Sequence, residues 1–143
     1  MRQKLWNLAD VLFTFLFYYV AGLTIHEWAH YTIGTALGYT AEAHFSWFGG
    51  YVLFHQPLTL PHVIAIGIAG GAITGAFMLL ISVFTSDWEE ALVTRFFFPL
   101  QFIYAAHEVL YLLGYVPLWA LGTLPVLWVA IIFMAWYLWP EEE

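Results

Sequence analysis

Residues 8–37 read LADVLFTFLFYYVAGLTIHEWAHYTIGTAL, and this stretch decides the fold class. A membrane-spanning helix needs about 20 mostly apolar residues. The run from Val11 to Ile25 carries no ionisable acid or base and passes directly into His26-Glu27-Trp28-Ala29-His30. On a helix His26 and His30 stand one turn apart on one face, where two imidazole nitrogens can converge on a Zn²⁺ ion. Glu27 lies about 100° around the axis, close enough to reach a water activated at such an ion. Its carboxylate could take the proton as that water attacks a carbonyl and return it to the leaving amine.

The frequencies of His and Glu in this chain give an H-E-x-x-H pattern by chance only about 0.01 times. An ionisable residue at hydrocarbon depth costs about 2.5–3.5 kcal/mol on insertion scales. Three such residues without a basic partner therefore need a metal or a hydrogen-bond network to hold them.

Outward from this segment, the 143 residues are 63% hydrophobic, 21% aromatic and only 9% charged. A soluble domain carries roughly a quarter charged residues, so the composition places the chain in the bilayer. Stretches 63–84 and 109–140 hold no Asp, Glu, Lys or Arg. The reading is a single membrane domain, 1–143, an all-α integral membrane protein of about four transmembrane helices at about 8–37, 60–84, 92–113 and 117–139. Gly114 and Pro117 form the last connection, and Ser86, Asp87, Trp88, Glu89 and Glu90 read as a polar loop between the second and third helices. The first helix runs into the polar cluster with no small-residue cleavage site, so it is expected to be retained and the chain complete.

The net charge of −7 rests largely on that loop and on Glu141, Glu142 and Glu143. Arg2, Lys4 and Arg95 are the only permanent cations, too few for a nucleic-acid footprint. All three fall on one side if the N-terminus is cytoplasmic, which the positive-inside rule favours. Without cysteine there is no disulfide, no thiolate ligand and no cysteine nucleophile. Any metal must be held by His, Asp or Glu.

Between the first two helices, Tyr39, Ala41, Ala43, Phe45 and Trp47 alternate with Thr40, Glu42, His44 and Ser46, the period of a strand. Gly49-Gly50 then offers a turn before Tyr51-Val52-Leu53-Phe54, giving a small membrane-associated β-hairpin over about 39–54. Its open edges must pack on the helices, face a water-filled cavity or sit at the interface. Gly67, Gly71 and Gly75 form a ridge for close helix packing, within this chain in preference to between copies. His44, His55 and His62 read as solvated interfacial residues and Asp10 as a helix-start residue. Trp6, Trp47, Trp88, Trp119 and Trp139 read as interfacial anchors.

The candidate for the third position is His107-Glu108, the other ionisable pair inside a predicted span, which could instead form a hydrogen bond between helices with no metal. The two point about 100° apart, so one of them faces the first helix. Gln101, Tyr104, Glu108 and Tyr111 share a helical face, which favours a His26, His30, Glu108 set, with His107 as the alternative third ligand. Gln101 and Tyr104 are candidate supporting or oxyanion-stabilising groups.

In order and context this pattern resembles the site-2 protease family of intramembrane zinc metalloproteases. The likeness rests on His26-Glu27-x-x-His30 in a membrane helix, Gly38, the hairpin with Gly49-Gly50-Tyr51-Val52, and Ala69-Gly70-Gly71 in the second helix, spanning about 24–74. It implies a three-helix core, zinc on His26 and His30, Glu27 as general base and a transmembrane peptide as substrate. It also implies that Gly49, Gly50, Tyr51 and Val52 pair with the unwound substrate strand. The family's Leu-Asp-Gly is absent; this chain offers Ala106-His107-Glu108 instead, and Ala69-Gly70-Gly71 where the family has Ala-Gly-Pro. The competing reading is a non-enzymatic or degenerate membrane subunit with a structural metal or a polar docking site. A third makes the histidines haem ligands or part of an ion path.

Overall fold

In the computed structural model, residues 2–46, 49–117, 120, 126–127, 129–131 and 133–134 are described. The element order is α1 (Arg2–Ala36), β1 (Ala41–Ser46), β2 (Gly49–Phe54), α2 (Leu60–Phe84) and α3 (Trp88–Leu112). Most of the expected fourth span, 117–139, lies outside the described residues.

α1 starts six residues before the expected boundary, because Gln3, Lys4 and Leu5 favour helix and no Pro or Gly interrupts them. At 1.5 Å per residue it is about 50 Å long, more than a hydrocarbon layer of about 30 Å. Within it Leu8–Ala36 is long and apolar enough to cross a membrane, and so is α2. Large apolar side chains such as Phe13, Phe17, Val83 and Phe84 are exposed.

α3 corrects the expected polar loop. Trp88, Glu89 and Glu90 are its first turn, because the Asp87 side chain accepts hydrogen bonds from the backbone N–H groups of Glu89 (3.0 Å) and Glu90 (3.3 Å) and caps the helix. Hydrogen bonding to the Glu89 side chain, and then to the Glu90 amide, holds the Asp87 carboxyl below the usual carboxylate range. Glu90 reaches back to accept from the hydroxyls of Tyr18 and Thr85, tying this end of α2 and α3 to α1.

The hairpin is present, with Ala41 opposite Phe54 and Ser46 opposite Gly49. Gly49 and Gly50 are the first residues of β2 and not the turn; the two residues between the strands, 47–48, lie outside the described residues. The Phe54 ring fills the space above Gly34 and seats the hairpin on α1, while the Tyr39 hydroxyl bonds His62 Nδ1 at 2.7 Å and anchors it to α2. His44 and His55 stay exposed on the outer face, where both approach Glu42, at 3.6 and 3.2 Å.

The glycine ridge is intramolecular. A Cβ on Gly67 would stand 2.7 Å from Val109, and Gly71 lets the Gln101 backbone oxygen and the Ala105 methyl approach α2. Val11, Phe15, Tyr18, Met78, Val93 and Phe97 form the apolar core in the half of the bundle remote from the hairpin. The buried polar residues of α1, His26, Glu27 and His30, occupy the other half.

Candidate metal centre

His26, Glu27 and His30 are among the most deeply buried residues of α1, at 3, 5 and 3% exposure. Such polar groups are tolerated there only with partners. The helical spacing brings the two imidazoles together, edge to face, with centroids 4.5 Å apart. Both Nε2 atoms face one oxygen of Glu108: Oε2 lies 2.9 Å from His26 and 3.1 Å from His30. His26, His30 and Glu108 thus form a buried group that could hold a metal ion, every donor atom lying within 4.8 Å of the others.

The donor chemistry fits a cation. His30 donates its Nδ1–H to the backbone oxygen of Ile66, at 2.7 Å, which fixes the tautomer and leaves Nε2 as a lone pair in the neutral ring. A lone pair and a carboxylate oxygen 3.1 Å apart require a proton or a metal between them. Donor atoms on a tetrahedral zinc lie about 3.4 Å from one another. The observed separations are a few tenths of an ångström short of that.

Two glycines make room. A Cβ on Gly70 would stand 2.6 Å from Nε2 of both His26 and His30, closer than real Cβ atoms come, so α2 presents bare backbone to the centre. A Cβ on Gly50 would stand 2.6 Å from Cγ of Glu27, so β2 passes directly over the carboxylate side chain. Glu27 in turn interacts electrostatically with His30 and Glu108.

Of the two candidates for a third partner, Glu108 faces α1. His107 points aside and approaches the Ile103 carbonyl at 3.3 Å. Tyr104 packs edge to face on His26 with centroids 5.2 Å apart, and Gln101 is buried. His26, Gln101 and Tyr104 line a cavity of about 50 Å³ floored by Gly22 and Phe97. Gly49, Gly50, Tyr51 and Val52 lie together on β2, which among the described residues pairs with β1 alone, so that its other edge has no strand partner there.

Sequence reasoning missed Ile66, whose backbone carries the contact, and the roles of Gly50 and Gly70. A signal existed for Gly50, since a glycine inside a strand marks a close approach. No family model, curated protein or solved structure matches the chain.

Proposed function

We propose that the chain is an intramembrane zinc metalloprotease, with about four spans and a cytoplasmic N-terminus, that hydrolyses a peptide bond in or near the bilayer. Its substrate is a transmembrane or membrane-proximal peptide. The observation that carries this reading is the convergence of two imidazole Nε2 atoms on one Glu108 oxygen, 2.9 and 3.1 Å away, beside the buried Glu27. The resemblance to the site-2 protease family and the apolar exterior support it further.

His26, His30 and Glu108 would hold the ion, and a His₂Glu set is a known ligand set for catalytic zinc. Bound there, zinc supplies a Lewis acid that polarises the carbonyl and makes water acidic enough to react near neutral pH. Glu27 takes the proton of the attacking water and hands it to the departing amine nitrogen. The open edge of β2 at Gly49–Val52 offers main-chain hydrogen bonds to an extended substrate and lays it above Glu27. Gln101 and Tyr104 line the cavity beside His26.

The test is zinc content per chain of detergent-purified protein, paired with cleavage of a panel of transmembrane peptides. Wild type should bind about one zinc and cleave, and Glu27→Gln should keep zinc and lose cleavage. His26→Ala should lose both. Zinc without cleavage in wild type would establish the non-enzymatic subunit with a structural metal in place of the protease.

A further inference from the structure

The two imidazoles need the same service, and so far only one has a backbone group supplying it. A metal-ligating histidine holds its orientation by donating its other ring N–H to an acceptor. His30 does so to Ile66, at 2.7 Å, across the α1–α2 interface. His26 faces α3, and the buried polar side chain that lines the same small cavity with it there is Gln101, only 5% exposed. Gln101 sits seven residues before Glu108 on one face of α3, so a single helix carries both the group facing Nε2 and the group that can meet the rest of the ring.

The surroundings leave the amide little freedom. Gly22 is bare beneath it: a Cβ there would stand 3.9 Å from Gln101 Nε2 and 3.0 Å from Met78 Cε. On the other side the Gln101 backbone oxygen lies against Gly71, which fixes the depth of this residue between α1 and α2. The amide is thus held in the cavity that His26 also lines, where it can offer its oxygen as an acceptor.

We propose that Gln101 is the positioning residue of the metal centre, its side-chain oxygen accepting the Nδ1 proton of His26 as the Ile66 carbonyl accepts that of His30. The inference rests on the metal reading above and adds the group that sets the tautomer of the second ligand. With Nδ1 protonated, Nε2 carries the lone pair that faces Glu108. Without Gln101 the ring can flip or take the other tautomer, and half of the imidazole pair is lost to the ion.

The experiment measures zinc affinity by chelator competition, with the visible spectrum of the Co²⁺-substituted protein as a second readout, on detergent-purified full chain. Gln101→Leu keeps the volume and removes the acceptor; it should bind zinc about 10–100-fold more weakly, with a shifted Co²⁺ spectrum. Gln101→Glu, which restores an acceptor at the same reach, should return affinity to within a few-fold of wild type. If Gln101→Leu does not fold, Gln101→Asn takes its place: its oxygen is drawn back by one methylene, and it should bind more weakly than Gln101→Glu. Wild-type affinity and spectrum in Gln101→Leu, or in Gln101→Asn where it takes that variant's place, would overturn the inference while leaving the metal centre standing. Absence of zinc from folded wild type would overturn the metal reading and the inference with it.

Discussion

Replacing Gly70 by Ala adds one methyl group, removes no ligand, and should nevertheless empty the metal centre. On an exposed helix the exchange would favour the helix by about 1 kcal/mol. Here the added Cβ would stand 2.6 Å from Nε2 of both His26 and His30, whereas ordinary contacts begin at 3.4 Å. Each ring would have to retreat by about 0.8 Å, against a tolerance of about 0.2 Å for metal–ligand distances. α2 cannot retreat in their place, because the Ile66 carbonyl is bonded to His30 at 2.7 Å and Gly71 is packed against the α3 backbone. Changes beyond the ligands themselves cost about 10–100-fold in metal affinity. Displacing two ligands at once should cost at least 100-fold, about 2.7 kcal/mol. The assay is chelator competition for zinc beside a thermal melt. Gly67→Ala serves as the control, since its Cβ would meet the Val109 side chain on α3 and not the imidazoles. If Gly70→Ala folds and binds zinc as tightly as Gly67→Ala, the proposed ion position between the rings is wrong.

Two further outcomes are expected. Glu108→Ala should lower zinc affinity by well over 10-fold, while His107→Ala, whose ring points to the Ile103 carbonyl, should leave it unchanged; equal losses in the two would mean that Glu108 is not the third ligand. Asp87→Ala should cost about 1 kcal/mol through loss of the α3 cap, seen as a lower melting temperature and faster amide exchange at Glu89 and Glu90. Because the folded Asp87 carboxyl titrates below its unfolded value, its contribution is fully present above that unfolded value, about 3.9, and disappears as the pH falls through the folded one. A melt whose acid sensitivity is the same in wild type and Asp87→Ala would contradict this assignment.

The parts of the site legible in the sequence are those that follow from a single periodicity. The spacing of His26 and His30 and the shared face of Gln101, Tyr104 and Glu108 are consequences of 3.6 residues per turn, and α1 and α3 preserve both. That argument also separates Glu108 from His107, which lies one residue and about 100° away. Helix ends are less legible because they depend on which local hydrogen bond wins: Ser86-Asp87-Trp88-Glu89-Glu90 reads as a polar loop, yet the same Asp87 oxygen that suits a loop also caps a helix.

Glycines are the least legible of all, because their role is set by what comes near them from elsewhere in the chain. Gly67, Gly70, Gly71 and Gly75 form one run in the sequence, but three of them bring α3 close and Gly70 opens α2 to the imidazoles. Gly49-Gly50 has the composition of a turn and is built into a strand, with Gly50 crossing above Glu27. The two close approaches converge on the same buried cluster from opposite elements, one against the imidazole nitrogens and one against the carboxylate side chain. Alanine at Gly70 would push both rings from Glu108 whether a proton or an ion lies between them, so the zinc assay, and not the melt, distinguishes the two. The bare α2 backbone beside both Nε2 atoms leaves that side of the cluster open to an ion, and Gly70→Ala fills it while every proposed ligand is kept, which ligand removal does not do.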